Sequence, residues 1–232
     1  MRSVTPVPVA VLVSGGGTNL QALLDALRDS PVARIARVVA SRVDAGALER
    51  ARRAGRGVST VLLAHPDDPG EVVTAIGDAR LVVLAGYLKR IPPAAVAQLR
   101  WRLINIHPAL LPAFGGPGMY GRRVHEAVLA SGVALTGATV HYVDEEYDQG
   151  PIIAQWPVPV RPDDTPDMLA ARVLEVEHRL LPQVVVEIAR SGVPERPVRL
   201  SSKGSAFVTG DKFVIDLDTA AADGRTGGRA DR

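Results

Sequence analysis

The alternation of short apolar runs with helix-forming segments constrains the fold of this chain more than any other feature. Runs rich in Val, Ile and Leu recur five times, and segments with helical spacing separate several of them. Strands that are apolar on both faces are typical of a parallel sheet covered by helices on both sides. The pattern therefore predicts a doubly wound α/β fold, with strands at 7–14, 34–40, 58–64, 80–86 and 102–106 and helices at 19–29, 44–55 and 92–100.

The pattern changes after residue 130. Two further strands are predicted at 134–143 and 151–160, separated by the polar, turn-forming stretch DEEYDQG. A long helix follows from about 165 to 190, and Pro182 is expected to kink or divide it because proline lacks the backbone N–H that continues a helix. The apolar stripe of this helix consists of Leu169, Val173, Val176, Leu180 and Val184.

The chain divides into a domain of residues 1–200 and a C-terminal extension, 201–232. The segments VRLSS and FVTGDKFVID predict a small hairpin at the start of the extension. Residues 219–232 carry no bulky apolar side chain, so they cannot bury enough surface to offset the entropy lost on ordering. We expect this tail to be disordered.

Composition excludes several classes of function. The chain has no cysteine, so disulfides, thiolate nucleophiles and cysteine-based zinc sites are excluded, and its five histidines lack the spacing of metal ligands. Net charge is +2 without a Lys/Arg block, which argues against a nucleic-acid partner. No apolar run reaches the ~18 residues of a membrane span, and three glycines at 15–17 interrupt the first run where a signal peptide would continue. We expect a cytoplasmic protein, monomeric or homodimeric, that acts on small molecules without a metal.

The loop SGGGTNL (14–20) lies between the first strand and the first helix. Ligands of open parallel sheets bind at this carboxyl edge, and glycines let backbone N–H groups approach an anion at the helix N-terminus. The loop is neither a dinucleotide fingerprint nor a P-loop, because the spacing of both is absent. It predicts a phosphate seat, and the alternative is a tight turn in which Thr18 or Asn19 caps the helix.

Asn105 and His107 end the fifth strand at the same edge. They flank one residue, so on an extended chain their side chains point the same way. An amide donor and an imidazole that converge on one point suit acyl transfer, in which an oxyanion needs donors and an amine needs a proton. Asp148, in the turn between the last two strands, is the candidate carboxylate that would raise the pKa of His107. The neighbouring acids Asp144, Glu145 and Glu146 compete for this role, and spacing alone does not choose among them.

Four segments, in this order, resemble one known family. They are SGGGTNLQALLDA, VVLAGYLKRI, INIHPALLPAF and GATVHYVDEEYDQGPIIAQ, and they resemble the folate-dependent formyltransferases, specifically those that formylate phosphoribosylglycinamide in purine synthesis. The likeness covers roughly residues 8–190. It implies a Rossmann-like formyltransferase fold and transfer of the formyl group of 10-formyltetrahydrofolate, as cosubstrate, to the amine of N1-(5-phospho-D-ribosyl)glycinamide.

The resemblance also implies site residues. Asn105 would donate to the oxyanion and contact the folate, His107 would be the general acid, and Asp148 would raise the pKa of His107. The ribonucleotide would be held by Gly17, Thr18, Asn19 and Glu177, and the pterin pocket would be lined by Leu88, Lys89, Arg90 and Ile91. Tyr120, Arg122 and His125 are expected to help close over the phosphate.

Other functions stay open from the sequence. Methionyl-tRNA formyltransferase and formyltetrahydrofolate hydrolase have similar Asn, His and Asp residues, but the resemblance to them implies an additional domain and the glycine loop favours a small phosphorylated substrate. A nucleotide-binding oxidoreductase is the alternative from another class. NAD binding requires an acidic residue after the second strand to bind a ribose, and this chain has Ala40, Ser41 and Arg42 there, which argues against NAD, whereas Arg42 would suit NADP.

Overall fold

The computed structural model describes residues 5–55, 57–201 and 213–214. Within these residues seven strands form one sheet, in the order β3-β2-β1-β4-β5-β6-β7. The first five strands pair in parallel, whereas β6 pairs antiparallel with both β5 and β7. The bounds are β1 Val7–Val13, β2 Ala33–Ala40, β3 Ser59–Leu62, β4 Leu81–Leu84, β5 Leu103–His107, β6 Leu135–Tyr142 and β7 Ile152–Pro159.

Helices cover both faces of this sheet. Because side chains alternate along a strand, β1 places Val9, Val11 and Val13 in one apolar cluster and Ala10 and Leu12 in another. The first cluster contains residues of α1, α2, α5 and α6, and the second contains residues of α3 and α4. The helices are α1 Thr18–Ala26, α2 Gly46–Ala54, α3 Pro69–Ile76, α4 Pro93–Gln98, α5 Arg122–Ser131 and α6 Pro166–Ser191.

The predicted α/β class, the mostly parallel sheet and all seven strands are confirmed. Strand order reverses at β1, which pairs with β2 on one side and β4 on the other. The loops after β1 and β4 therefore diverge and leave a crevice at the carboxyl edge, the usual position of a ligand in such sheets.

Neither α3 nor α5 was predicted from the sequence. The prediction that Pro182 could divide the long helix is wrong, because α6 continues through this residue as one helix. The side chain of Thr165 accepts a hydrogen bond from the backbone N–H of Met168, which caps the first turn of α6.

The region predicted to be a C-terminal extension is described at few residues. Strand β8 (Leu200–Ser201) pairs with β9 (Phe213–Val214) in parallel, which is not the antiparallel pairing of the predicted hairpin. The remainder of that prediction and the predicted disordered tail concern 202–212 and 215–232, which lie outside the described residues.

Candidate active site

A cavity of about 510 Å³ opens at the carboxyl ends of β4 and β5. Nine of the eleven residues predicted for catalysis, ribonucleotide binding and the pterin pocket line it, while Gly17 and Thr18 lie beside it, directly before Asn19 in the chain. Residues far apart in sequence are thus brought to one place by the crevice of the sheet. These nine are Asn19, Leu88, Lys89, Arg90, Ile91, Asn105, His107, Asp148 and Glu177.

The strand β5 directs Asn105 and His107 into the cavity. Ile106, between them, belongs to the apolar cluster on one face of the sheet. This alternation is the one predicted for two residues that flank a third on an extended chain. The backbone after β5 is fixed from β6 by the buried Thr139 hydroxyl, which donates to the carbonyl of Ala109 (2.6 Å) and accepts from the N–H of Leu111 (3.0 Å).

The imidazole of His107 is held between a carbonyl and a carboxylate. Its Nε2 lies 2.8 Å from the carbonyl oxygen of Phe114, which can only accept, so this nitrogen carries the proton. Its Nδ1 lies 3.6 Å from Oδ2 of Asp148. The ring is only 3% exposed, and its orientation is therefore set before any ligand binds.

Asp148 is fixed by backbone contacts. Its φ of 56° is left-handed, and its Oδ2 accepts from the N–H of Gly116 at 2.9 Å. The turn comes close to β6, because a Cβ on Gly150 would lie 1.8 Å from the carbonyl oxygen of Tyr142. Burial by itself would raise the pKa of Asp148, but His141, His107 and the Gly116 N–H together lower it, so the carboxylate is charged.

The predicted effect of Asp148 on the pKa of His107 is confirmed, but it does not decide the overall shift of that pKa. Asp148 does act in this direction, as does the Phe114 carbonyl, but burial of the ring acts more strongly and the pKa of His107 is lowered overall. Desolvation disfavours the charged imidazolium, and the carboxylate lies beyond hydrogen-bond distance. The ring is therefore mainly neutral at pH 7 before substrates bind.

His141 is a site residue that the sequence analysis missed. It is buried on β6 directly opposite Asn105, and its Nδ1 donates to the carbonyl of Tyr142 at 2.8 Å. Its Nε2 is then free to accept from Nδ2 of Asn105 at 3.1 Å, and it lies 3.6 Å from Oδ1 of Asp148. His141 orients the carboxamide and leaves the second amide hydrogen of Asn105 for a ligand. The signal that could have revealed it is the β5–β6 register, which requires knowledge of the pairing.

The glycine loop begins α1 without a side-chain cap. Gly17 occupies the N-cap position with φ 76°, so neither Thr18 nor Asn19 takes that role. A Cβ at Gly17 would lie 2.6 Å from Cβ of Ala47, so α2 supports the loop from behind. Arg50, also on α2, donates from Nε to the carbonyl of Gly16 at 2.7 Å. The carbonyl of Gly16 is thereby occupied, and the first N–H groups of α1 remain available for an anion.

Asn19 and Glu177 form a buried polar pair at the base of this loop. Nδ2 of Asn19 donates to Oε2 of Glu177 at 2.6 Å, while the buried Oδ1 of Asn19 has no hydrogen-bond partner within the described structure. Burial raises the pKa of Glu177 to about 7, although the bond from Asn19 acts in the opposite direction. An unpartnered buried acceptor is costly, so it indicates a ligand donor that is absent from the free protein.

The segment from Leu88 to Ile91 forms another wall of the cavity. The backbone N–H of Leu88 donates to Oγ of Ser14 at 2.9 Å, while its side chain is 56% exposed. The guanidinium of Arg90 donates to the carbonyl of Glu145 at 2.7 Å and lies over the ring of Tyr147. Ile91 is buried, which leaves an apolar surface with polar edges.

The three residues expected to close over the phosphate also line the cavity. Arg122 is exposed and paired with Glu126 and Asp167, at 2.8 Å and 2.5 Å. His125 is buried, and its Nδ1 has no partner among the described residues. Burial and, secondarily, the nearby His107 lower the pKa of His125.

The described ranges contain no group of three or more His, Cys, Asp or Glu side chains that could hold a metal ion. Among the helices of those ranges, none has the length and hydropathy needed to cross a membrane.

Comparison with known proteins identifies the class of enzyme. Residues 7–185 match the formyl transferase family model, and the chain belongs to this family. Phosphoribosylglycinamide formyltransferase of Arabidopsis thaliana, the chloroplastic protein, is 44% identical over 196 residues, which are 81% of this chain and 67% of that protein. Phosphoribosylglycinamide formyltransferase of Escherichia coli is 39% identical over 184 residues, which are 76% of this chain and 84% of that protein.

A solved structure agrees with both relatives. The phosphoribosylglycinamide formyltransferase of Coxiella burnetii, in complex with CHES, superposes with a TM-score of 0.73 at 36% identity. The match covers 80% of this chain and 88% of that one. The resemblance noted in the sequence is therefore confirmed at the level of the family and of the fold.

Proposed function

We propose that this protein transfers the formyl group of 10-formyltetrahydrofolate to the amine of N1-(5-phospho-D-ribosyl)glycinamide, a step of purine synthesis. The observation that carries the proposal is the convergence of Asn105, His107 and Asp148 in a cavity that also contains the end of the glycine loop. Membership of the formyl transferase family and similarity to two phosphoribosylglycinamide formyltransferases support the same reaction.

The ribonucleotide binds at the glycine loop in this proposal. The backbone N–H groups at Gly17, Thr18 and Asn19 hold its phosphate, since they are the unpaired donors at the start of α1. The free Oδ1 of Asn19 and the carboxyl of Glu177 accept from hydroxyl or amide donors of the substrate. The buried position of this pair supports the role, because the Oδ1 of Asn19 has no hydrogen-bond partner within the described structure.

The pterin of the folate binds along the segment from Leu88 to Ile91. Backbone groups of this segment recognise the polar ring edge, while Ile91 supplies apolar contact. The Asn105 carboxamide, at the adjoining end of β5, reaches the formyl oxygen. The two substrates thus meet next to His107, and holding them together supplies much of the acceleration expected for such a transfer.

The chemistry begins when the amine attacks the formyl carbon and forms a tetrahedral intermediate. Asn105 donates its free amide hydrogen to the developing oxyanion, while His141 fixes the orientation of that amide. His107, neutral in the free protein, gains proton affinity as negative charge builds up, and Asp148 stabilises the resulting imidazolium. The net transfer moves one proton from the attacking amine to the folate nitrogen. The C–N bond to that nitrogen then breaks and releases tetrahydrofolate.

The test compares Asn105→Ala and Asp148→Asn with the wild type. Each is expected to lower kcat by ~10²–10³, the usual effect of losing one oxyanion donor or its electrostatic support. Ribonucleotide affinity should stay within a few-fold, since neither residue contacts the phosphate. Asp78→Asn, an exposed residue outside the cavity, is the matched control. Turnover close to that of the wild type in either variant would contradict the assignment.

A second assay separates the proposed acceptor from its competitors. The purified protein is mixed with 10-formyltetrahydrofolate and either the ribonucleotide, methionyl-tRNA or buffer alone, and tetrahydrofolate is measured. Rapid formation only with the ribonucleotide supports the proposal. Release of free formate in buffer at the same rate would indicate a hydrolase instead.

Location and assembly are part of the proposal as well. We expect a cytoplasmic protein, monomeric or homodimeric, whose partners are its two small-molecule substrates rather than nucleic acid or membrane. Light scattering on the purified protein and fractionation of cells would check the two expectations.

A further inference from the structure

A second cavity, of about 330 Å³, lies between α1, α2 and β2. It shares no lining residue with the active-site cavity. Four arginines and one glutamine surround it, and the function proposed above uses none of them for chemistry. These residues are Gln21, Arg28, Arg34, Arg50 and Arg53, and we call the cavity they surround the arginine cleft.

The arginine cleft has an excess of positive charge. Two of its guanidinium groups are paired, Arg28 with Asp25 at 3.1 Å and Arg53 with Glu49 at 2.9 Å. Arg34 is in no ion pair with another described residue, so its charge is uncompensated there. The positive charges outnumber the adjacent carboxylates, which favours an anionic ligand.

Arg50 adds a second uncompensated charge. Its hydrogen bonds go to neutral oxygens, the carbonyl of Gly16 at 2.7 Å and Oε1 of Gln21 at 3.3 Å. Guanidinium groups bind phosphate through paired, charge-assisted hydrogen bonds. Two such groups beside one cavity therefore suit a phosphate better than an uncharged, apolar ligand.

The floor of the arginine cleft is apolar. It consists of the buried side chains of Leu24, Leu27 and Ile35, together with the half-buried Ala54 and Val58. A cationic rim over an apolar floor matches a ligand with one charged end and one flat apolar body. Arginine planes stack on aromatic rings, and the volume lies within the range of small-molecule sites.

We propose that the arginine cleft binds a small organic phosphate with a planar apolar body, of the size of a nucleoside monophosphate, at a site separate from the active site. The phosphate contacts Arg34 and Arg50, and the planar body lies on the floor of Leu24, Leu27 and Ile35.

The same site is coupled to the glycine loop through Arg50. This residue supports the loop by its bond to Gly16, and a phosphate in the arginine cleft competes for the same guanidinium. An occupied cleft therefore weakens the support of the loop. Since the proposed function places the ribonucleotide phosphate on that loop, this step rests on the proposed function, and the expected effect is a higher KM for the ribonucleotide with an unchanged kcat.

Calorimetric titration with AMP as the probe tests the site without any turnover. The double variant Arg34→Ala/Arg53→Ala removes two exposed rim charges, and Arg80→Ala, exposed and outside both cavities, is the control. AMP binding at this site should weaken at least about tenfold in the double variant, which loses the charge-assisted contact of Arg34 and the nearby positive charge of Arg53, and stay unchanged in the control. Equal thermal melting of all three proteins shows that folding is intact.

Amide chemical shifts locate the probe. In the wild type, AMP should shift residues around Leu24, Leu27 and Ile35, and these shifts should vanish in the double variant. Shifts confined to residues 17–19 would overturn the proposal, because AMP would then occupy only the glycine loop. Inorganic phosphate that binds the arginine cleft as tightly as AMP would overturn the planar-body assignment.

Steady-state kinetics test the coupling separately. AMP should raise the KM for the ribonucleotide in the wild type and much less in the double variant. A rise of equal size in both proteins would show competition at the active site and would refute the coupling. If the protein does not formylate the ribonucleotide at all, the proposed function fails, while the calorimetric and shift results still decide whether the arginine cleft binds AMP.

Discussion

Glu177 links the stability of this protein to pH. Glu177 is only 7% exposed, and burial raises the pKa of its carboxyl from the ordinary 4.5 of a glutamate to about 7. Each pKa unit corresponds to about 1.4 kcal/mol, so the displacement amounts to roughly 3 kcal/mol at pH values above both pKa values. The folded state binds this proton more tightly than the unfolded state. The contribution to stability is therefore complete below pH 4.5 and is lost as pH rises through 7.

Replacing Glu177 by Gln removes this titration and preserves the shape of the side chain. Its amide oxygen can accept from Asn19, and its amide N–H can donate to the Oδ1 of Asn19, which otherwise has no partner. Through this group alone the wild type should lose about 2–3 kcal/mol of unfolding free energy between pH 5 and pH 8, whereas the variant should not. At pH 8 the variant should thus be the more stable protein, and it should bind the ribonucleotide more weakly.

Urea unfolding at pH 5, 6, 7 and 8 measures this difference, provided that the slopes of the two proteins agree. Glu175→Gln is the matched control, since Glu175 lies on the same helix and is exposed. It should follow the wild type at every pH. Identical pH dependence of wild type and Glu177→Gln would refute the reasoning, because the buried carboxyl would then not be the group that titrates.

Three further perturbations follow from the structure. Gly17→Ala should raise the KM for the ribonucleotide and destabilise the protein by about 1–3 kcal/mol, since a Cβ there meets Ala47 at a positive φ; steady-state kinetics and urea unfolding check this, and an unchanged KM contradicts it. Arg50→Met should raise the same KM with little change in kcat, because the loop carbonyl loses its donor; an equal loss in kcat contradicts a positioning role. Asp164→Asn should destabilise the protein at pH 7 but not at pH 2. The pKa of Asp164 is lowered to about 2, chiefly by its bond to Arg172, so the stabilising effect of the carboxylate fades as pH falls from 3.8 toward that value. Unfolding curves at both pH values measure the difference.

The sheet could be predicted from the sequence because its strands are apolar on both faces. The helix α3 was missed although Asp68 caps it and Pro69 opens it, since its eight residues are too few to form a long apolar stripe. The helix α5 begins after Gly121 without a side-chain cap, so its start carries no local signal. A short helix is recognised in a sequence by its length and its caps, but it is stabilised mainly by tertiary packing, which the local sequence does not show.

The site residues could be placed at one sheet edge, but not their mutual orientation. The positions of Asn105 and His107 follow from strand alternation, whereas His141 depends on which residue of β6 lies opposite Asn105. Likewise, the pKa of His107 depends on how completely the ring is buried, and this outweighs the charge of Asp148. Pairing register and desolvation are properties of the folded chain as a whole, so no local pattern reveals them.

One hydroxyl group joins the two halves of the cavity. Oγ of Ser14, at the end of β1, accepts from the N–H of Leu88 at 2.9 Å and shares a hydrogen bond of 2.6 Å with Oγ of Ser41. The glycine loop after β1 and the segment from Leu88 to Ile91 are thereby held at a fixed separation before a ligand binds to either. Because these bonds are present without a ligand, the spacing between the two proposed binding regions is built into the sheet rather than created by binding.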